Sequence, residues 1–316
     1  MAAALTSHDY AGVVRRAKPL LGTLVDIGIG AADADIALAA ANTAFAAIRD
    51  VHGLMSFHEP ASDLSRINRA MPGAAIDVDP STADVLRLAL DIHEASVGAF
   101  DCTIAPVLIQ HGLLPPVDGR NIDPARAPFD TRPRGTGDPA AGSARAFVVE
   151  GCTVIKQRDC LIDLGGIAKG YAVDRAVDAA IALADARGHR LDSVLINAGG
   201  DLRFHGARTM TIRLRDFDEP AQLSDVIDLS DGALATSSTR GLEGLARHVS
   251  PLVDPFRGMA LPMGGGVTVA APTCAIADAL TKVALATGDP GHPVFARYGA
   301  SVVRFSARRD PLSGTS

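Results

Sequence analysis

The chain has 316 residues, 47% of them hydrophobic and 21% charged, with a net charge of −6. That much apolar material over that length excludes a disordered chain and suits a globular fold, with enough residues for one large domain or two small ones. The acidic balance argues against a nucleic-acid surface, which needs a basic face, although local cations can still hold one small anion.

No run of about 18 apolar residues survives uninterrupted, so no membrane span is expected. The opening Met1-Ala2-Ala3-Ala4-Leu5 is too short for a secretory apolar core. Cys102, Cys152, Cys160 and Cys274 show neither CxxC nor zinc-finger spacing. They read as reduced residues of a cytoplasmic protein.

In chain order, residues 23–29 alternate enough for a strand. From Ala34 to about Val51 an alanine-rich run places Ile36, Phe45 and Ile48 at helical spacing. A second helix is predicted over 81–96, capped by Ser81 or Thr82 and stopped by Gly98. From Leu113 to Gly142 the composition turns to Pro, Gly, Arg and Asp, which predicts a long loop or insertion. Strands follow at 146–149 and 160–163, then a helix over 168–186. A strand at 193–197 ends in the glycine turn Asn197-Ala198-Gly199-Gly200-Asp201. Further strands are predicted at 210–214, 226–229 and 266–270, and a last helix over 274–287 with Thr273 as cap and Gly288 as stop. Interleaved strands and helices imply an α/β or α+β layered fold.

Six segments can carry chemistry. In Asp163-Leu164-Gly165-Gly166-Ile167-Ala168-Lys169-Gly170-Tyr171 two glycines lead into a helix start, whose N–H groups and dipole favour an anion beside Lys169. Neither the Walker nor the Rossmann glycine spacing is present, and a tight turn with a solvated Lys is an equal reading. Gly98-Ala99-Phe100-Asp101 gathers an aromatic and a carboxylate, or is a turn with a buried Phe. The turn 197–201 and the hydroxyl-rich 235–239 could each bind a ligand or be ordinary loops. His248 precedes the Asp254-Pro255 turn. On the last helix Asp278 shares a face with Thr281 and Lys282. Aspartate and hydroxyl could offer oxygens to Mg²⁺, or Asp278 and Lys282 could form an ion pair, the reading slightly favoured.

Together with Leu21-Gly22-Thr23 and Ser62-Asp63-Leu64-Ser65-Arg66-Ile67-Asn68, and in this order, these segments resemble the ApbE family of FAD:protein FMN transferases. The similarity runs from Leu21 to Gly288 apart from 113–142. It implies a single domain over residues 1–316, an α+β fold of mixed sheets flanked by helices, two lobes, and FAD in the cleft between them. It also implies Mg²⁺-dependent cleavage of FAD, transfer of FMN to a Thr or Ser hydroxyl of a flavin-acceptor protein, and release of AMP. By the same resemblance Leu21, His58, Ala99, Phe100, Asp101, Asp163, Lys169 and His248 contact the nucleotide. Gly166 would offer a carbonyl and Asp278 a carboxylate to the metal. Asp163, His248 and Asp278 are the catalytic candidates, with Asp163 or Asp278 accepting the hydroxyl proton. The family pattern has Met at the position of Leu21, an aromatic Tyr at His58 and commonly Thr at Lys282. Either Thr281 takes over as ligand, or Lys282 supplies the charge itself and lowers the Mg²⁺ dependence. Two other outcomes are an FAD pyrophosphatase giving FMN and AMP, and a non-catalytic FAD-binding protein. Neither an export nor a lipidation signal is evident, so the acceptor is expected in the cytoplasm.

Overall fold

The computed structural model describes residues 13–117, 146–217, 219, 221–240 and 250–306. Strands β1 (Val13–Leu20) and β2 (Thr23–Ala31) form a hairpin. Its two-residue turn, Leu21-Gly22, has positive φ at both positions, 54° and 70°, the handedness that matches strand twist. Helix α1 (Ala34–Met55) follows, capped by Asp33, whose carboxylate accepts from the Asp35 and Ile36 amides. It outlasts the predicted end by about one turn because Val51 and Met55 continue its buried face.

Helix α2 (Asp63–Arg69) is capped by Ser62, and β3 (Ala75–Asp77) leads to α3 (Pro80–Ala95). The cap of α3 is Asp79, with Pro80 in the first turn, rather than Ser81 or Thr82. Proline's fixed φ suits that first helical position. The Thr82 hydroxyl instead donates to Asp63 at 2.9 Å. The short α4 (Ala105–Gln110) precedes the hairpin of β4 (Phe147–Glu150) and β5 (Thr153–Lys156).

The segment expected as a strand at 160–163 joins no sheet. Its backbone groups are satisfied otherwise. Asn68 Nδ2 donates to the Ile162 carbonyl (2.9 Å), the Ile162 amide donates to Asn68 Oδ1 (2.7 Å), and the Asp163 amide donates to the Cys102 carbonyl (2.8 Å). A side-chain amide thus substitutes for a neighbouring strand, and Leu161 and Ile162 are apolar because they are buried, not because they pair.

After α5 (Ala168–Ala186) come β6 (Leu191–Ala198), β7 (Asp201–Gly206), the hairpin of β8 (Met210–Arg215) and β9 (Leu223–Leu229), and β10 (Gly232–Ser238). The tiny β11 (Val253–Asp254) and β12 (Met259–Ala260) pair together. Then follow β13 (Gly266–Ala271), α6 (Cys274–Thr287), α7 (Val294–Arg297) and β14 (Ser301–Ser306).

The main sheet has the order β1-β2-β6-β7-β10-β13-β14, and a smaller one the order β3-β5-β4. Every pairing among the described residues is antiparallel, which decides for α+β. On one face Val25, Ile27, Ile29, Val194, Ile196, Ala233 and Val269 pack with α1, α5 and α6 in one continuous core. The other face buries Leu195, Leu202, Phe204 and Leu234 beneath Ile212, Leu214 and Leu229 of the β8–β9 hairpin.

Helices α5 and α6 meet closely. A Cβ on Gly170 would fall 2.3 Å from the Cys274 carbonyl oxygen. One turn along, Asp174 accepts from the Cys274 and Ala275 amides, 2.8 Å each. It caps α6 from a neighbouring helix. That contact aims the start of α5 and the middle of α6 at one point.

Candidate functional site

A cavity of about 500 Å³ opens between the main core and the segments around α2, α3 and α4, within the range of small-molecule sites. It brings together Leu21, His58, Ala99, Phe100, Asp101, Asp163, Gly166, Lys169 and Lys282. Leu21 reaches it from the β1–β2 turn, held at positive φ, a conformation that costs a non-glycine residue about 1–2 kcal/mol. His58 sits exposed at the rim, its ring 6.3 Å from Phe57 in an edge-on arrangement.

Ala99, Phe100 and Asp101 are fixed by the end of α3. The Ser96 hydroxyl accepts from the Phe100 amide (3.1 Å), and His93 Nδ1 lies 2.8 Å from the Phe100 carbonyl. Asp101 Oδ1 accepts from the Thr103 amide (2.8 Å) and hydroxyl (2.7 Å). Its Oδ2 is buried without a hydrogen-bond partner, so it is free to accept from a ligand. An unpaired buried acceptor costs about 1–3 kcal/mol.

On the opposite wall Asp163 is pinned through its own amide and accepts from the Gly165 amide at 3.1 Å. Burial pushes its carboxyl above 3.8, against the pull of that amide, His58 and Lys282. Gly166 lies against Phe100: a Cβ there would meet the ring at 3.4 Å and the Lys282 side chain at 3.6 Å.

Beneath these groups is an ion cluster. Lys169 pairs with Asp201 at the start of β7, and stands 3.7 Å from Asp278 Oδ2. Burial opposes the charge on Lys169, but Asp201 and Asp278 outweigh it and raise its pKa. Burial and the neighbouring Asp278 raise the pKa of Asp201. Asp278 is fully buried. Its Oδ2 accepts from the Gly170 amide (3.2 Å), and its Oδ1 pairs with Lys282. The i,i+4 ion pair of the sequence reading therefore forms.

Lys282 Nζ also reaches the Asp278 carbonyl (3.0 Å) and the Ser237 hydroxyl (3.2 Å). The Thr281 hydroxyl donates to that same carbonyl (2.6 Å) and lies 2.7 Å from Ser237 Oγ. Thr281 is fully buried, behind the cavity wall rather than on it. His248 lies outside the described residues.

The fit of Mg²⁺ to this donor set fails on charge. Two carboxylates, Asp201 and Asp278, already face two ammoniums, Lys169 and Lys282, and both Asp278 oxygens are engaged. A dication placed beside Asp278 would meet Lys282 at contact, uncompensated. Among the described residues no group of three or more His, Cys, Asp or Glu side chains is placed to hold a metal ion.

Three working residues have no assigned role in the sequence reading: Asp201, Ser237 and Asn68. The turn 197–201 and the hydroxyl run 235–239 mark the neighbourhoods of the first two. Asn68 falls in the segment 62–68, without a partner visible in the sequence.

A family model described as the ApbE family matches residues 21–302. A protein of Chlamydia pneumoniae named FAD:protein FMN transferase is 26% identical over 244 residues, 71% of this chain and 68% of that protein. Among solved structures, the ApbE protein of Thermotoga maritima aligns with a TM-score of 0.74 at 22% identity, over 94% of this chain and 97% of that one. The flavin transferase ApbE of Vibrio cholerae gives 0.69 at 21% identity, over 94% and 97%. The flavinyl transferase ApbE of Pseudomonas stutzeri gives 0.71 at 20%, over 98% and 93%.

Proposed function

The chain belongs to the ApbE family, and on that premise we propose that it is an FAD:protein FMN transferase. The observation that carries the reading is the cavity itself. Apolar walls from Leu21, Met55, Phe57, Phe100, Leu252 and Leu261 lead to a floor holding Lys169 and Lys282, with the Asp163 carboxyl at the side. An apolar ring system joined to an anionic pyrophosphate matches that sequence of surfaces.

FAD binds with its flavin against Phe100 and Leu21 and a polar edge on Asp101 Oδ2, the acceptor left unpaired in the protein. His58 closes the rim. Its pyrophosphate lies over the start of α5, where Lys169 and the helix dipole favour anions. A Thr or Ser hydroxyl oxygen of the acceptor protein attacks the phosphorus on the FMN side. A new P–O ester bond forms, the bridging P–O bond breaks, and AMP leaves carrying the bridging oxygen. Positioning and charge neutralisation supply most of the rate in such a displacement.

The hydroxyl proton goes to Asp163. That carboxyl lines the cavity and burial raises its pKa, which makes it the better base. Asp278 is committed to Lys282, Lys169 and the Gly170 amide. His248, the third catalytic candidate, lies outside the described residues, and no step is assigned to it. No step is assigned to Mg²⁺, because its donors do not suit it while Lys282 occupies Asp278.

The four cysteines are unbridged, which suits a reducing compartment and a cytoplasmic acceptor. No helix among the described residues is long and apolar enough to cross a membrane. Incubation with FAD, with and without a flavin-acceptor domain, tests the assignment by nucleotide chromatography. AMP that appears only with the acceptor, together with protein-bound flavin, supports transfer. AMP with free FMN would make the protein a pyrophosphatase, and unchanged FAD a carrier.

A further inference from the structure

The position of one side chain goes beyond that reading while resting on it. Lys282 is held as a bound ion would be. Its ammonium has three protons and three protein acceptors: Asp278 Oδ1, the Asp278 carbonyl at 3.0 Å and Ser237 Oγ at 3.2 Å. Those acceptors are themselves fixed. The Thr281 hydroxyl donates to the Asp278 carbonyl, which leaves Ser237 to donate to Thr281 and to accept from Lys282. The hydrogen bonds run in one consistent direction around the cluster. Asp278 and Thr281 are fully buried, whereas Lys282 keeps 17% of its side chain exposed, toward the cavity.

We infer that the Lys282 ammonium is a tethered cation that fills the divalent-metal position of this site. Lys282 and Lys169 together then neutralise the nucleotide pyrophosphate without a bound metal. Charge supports this assignment. Asp201 and Asp278 pair with Lys169 and Lys282, and the Asp163 carboxyl also lies within electrostatic reach of Lys282, so carboxylates at least match the ammoniums. Removing the Lys282 charge would leave negative charge in excess around a carboxylate, a carbonyl and two hydroxyls, hard oxygen donors of the kind that take a small divalent cation. The tethered ammonium gives a fixed geometry with no dependence on free metal. Its weakness is a single charge where a dication would supply two.

Mn²⁺ serves as the probe, with free Mn²⁺ read by electron paramagnetic resonance in the absence of FAD. The wild-type protein should leave the aqueous signal unchanged beyond what Asp278→Asn also gives. Lys282→Thr should take up one Mn²⁺, tighter than wild type by on the order of 100-fold, the scale of removing one contact repulsion. The double variant Lys282→Thr/Asp278→Asn should lose that site. Asp278-dependent Mn²⁺ binding by the wild type would overturn the inference, even if Lys282→Thr failed to fold. So would a Lys282→Thr protein that keeps its wild-type circular dichroism and melting but gains no site. A parallel incubation with FAD and the flavin-acceptor domain in excess EDTA separates the two readings. AMP release that survives the chelator supports the tethered cation, and release that stops overturns it. Absence of AMP under every condition counts against the transferase reading and leaves the Mn²⁺ titration to decide on Lys282.

Discussion

Replacing Gly170 by Ala places one methyl group where α5 and α6 leave no room. The added Cβ would lie 2.3 Å from the Cys274 carbonyl oxygen, 2.6 Å from its carbon and 2.8 Å from the Ala275 Cα. All three are backbone atoms, so no rotamer change relieves the clash. Ordinary contact requires the helices to part by about 1 Å. That displacement stretches the two 2.8 Å bonds from the Cys274 and Ala275 amides to Asp174 beyond hydrogen-bonding distance. It also pulls the Gly170 amide, now at 3.2 Å, away from Asp278. Overpacking costs about 1–3 kcal/mol and a lost helix cap about 1–2, while alanine returns about 1 through helix propensity. The net loss is about 1–4 kcal/mol, a large share of a typical folding stability. Urea unfolding should show a lower midpoint with an unchanged slope. Because Lys169 and Asp278 flank the contact, AMP release should fall as well. A change of less than about 0.5 kcal/mol, or a gain, would refute the idea that the glycine is required by helix approach.

Asp163→Asn should lower turnover on the order of 100-fold or more while leaving FAD affinity within a few-fold, as expected for loss of a general base. In the wild type, turnover should rise with pH through a value above 3.8, since burial raises this carboxyl; an unchanged rising limb in the variant would assign the proton elsewhere. Asn68→Ala removes both partners of the Ile162 backbone, at 2.9 and 2.7 Å, and should cost about 2–4 kcal/mol in urea unfolding. A loss below about 1 kcal/mol would show that the 160–163 segment is held by burial alone. Asp174 is raised from 3.8 to about 6, chiefly by burial, with the α6 amides and Arg203 pulling the other way. Its protonated form is the one the folded state favours, so stability is full below about pH 4 and declines as pH rises through about 6, by up to about 3 kcal/mol. In Asp174→Asn that decline should vanish; a slope that persists would place its origin in another group.

Much of this organisation can be read in the residues, and the failures have physical causes. Strand β2, helices α1, α5 and α6, and the Thr273 and Gly288 caps show clear periodicity or capping chemistry. The β1 strand carries no alternation in its sequence, since it is an edge strand with Arg15, Arg16 and Lys18 exposed. The β10 strand gives no strand signal because Gly232, Ala233 and Ala235 are small where α6 packs against them. The apolar pair Leu161-Ile162 looks like a strand because burial, not pairing, selects it. At the site, the local pair Asp278–Lys282 is legible at i,i+4 spacing. The Lys169–Asp201 pair joins residues 32 apart, and Ser237 meets Lys282 across 45, contacts that only the folded sheet creates. The Gly165-Gly166 pair reads as a ligand cradle, and both glycines lie on the cavity. Gly170 in the same stretch serves helix packing instead.

The most direct test is the intact mass of an acceptor domain after incubation with this protein and FAD. The account predicts one added FMN, less a water, on a Thr or Ser, with one AMP released per modified acceptor, and no addition when that hydroxyl residue is replaced by Ala. An acceptor of unchanged mass beside consumed FAD, or FAD left intact, would contradict it.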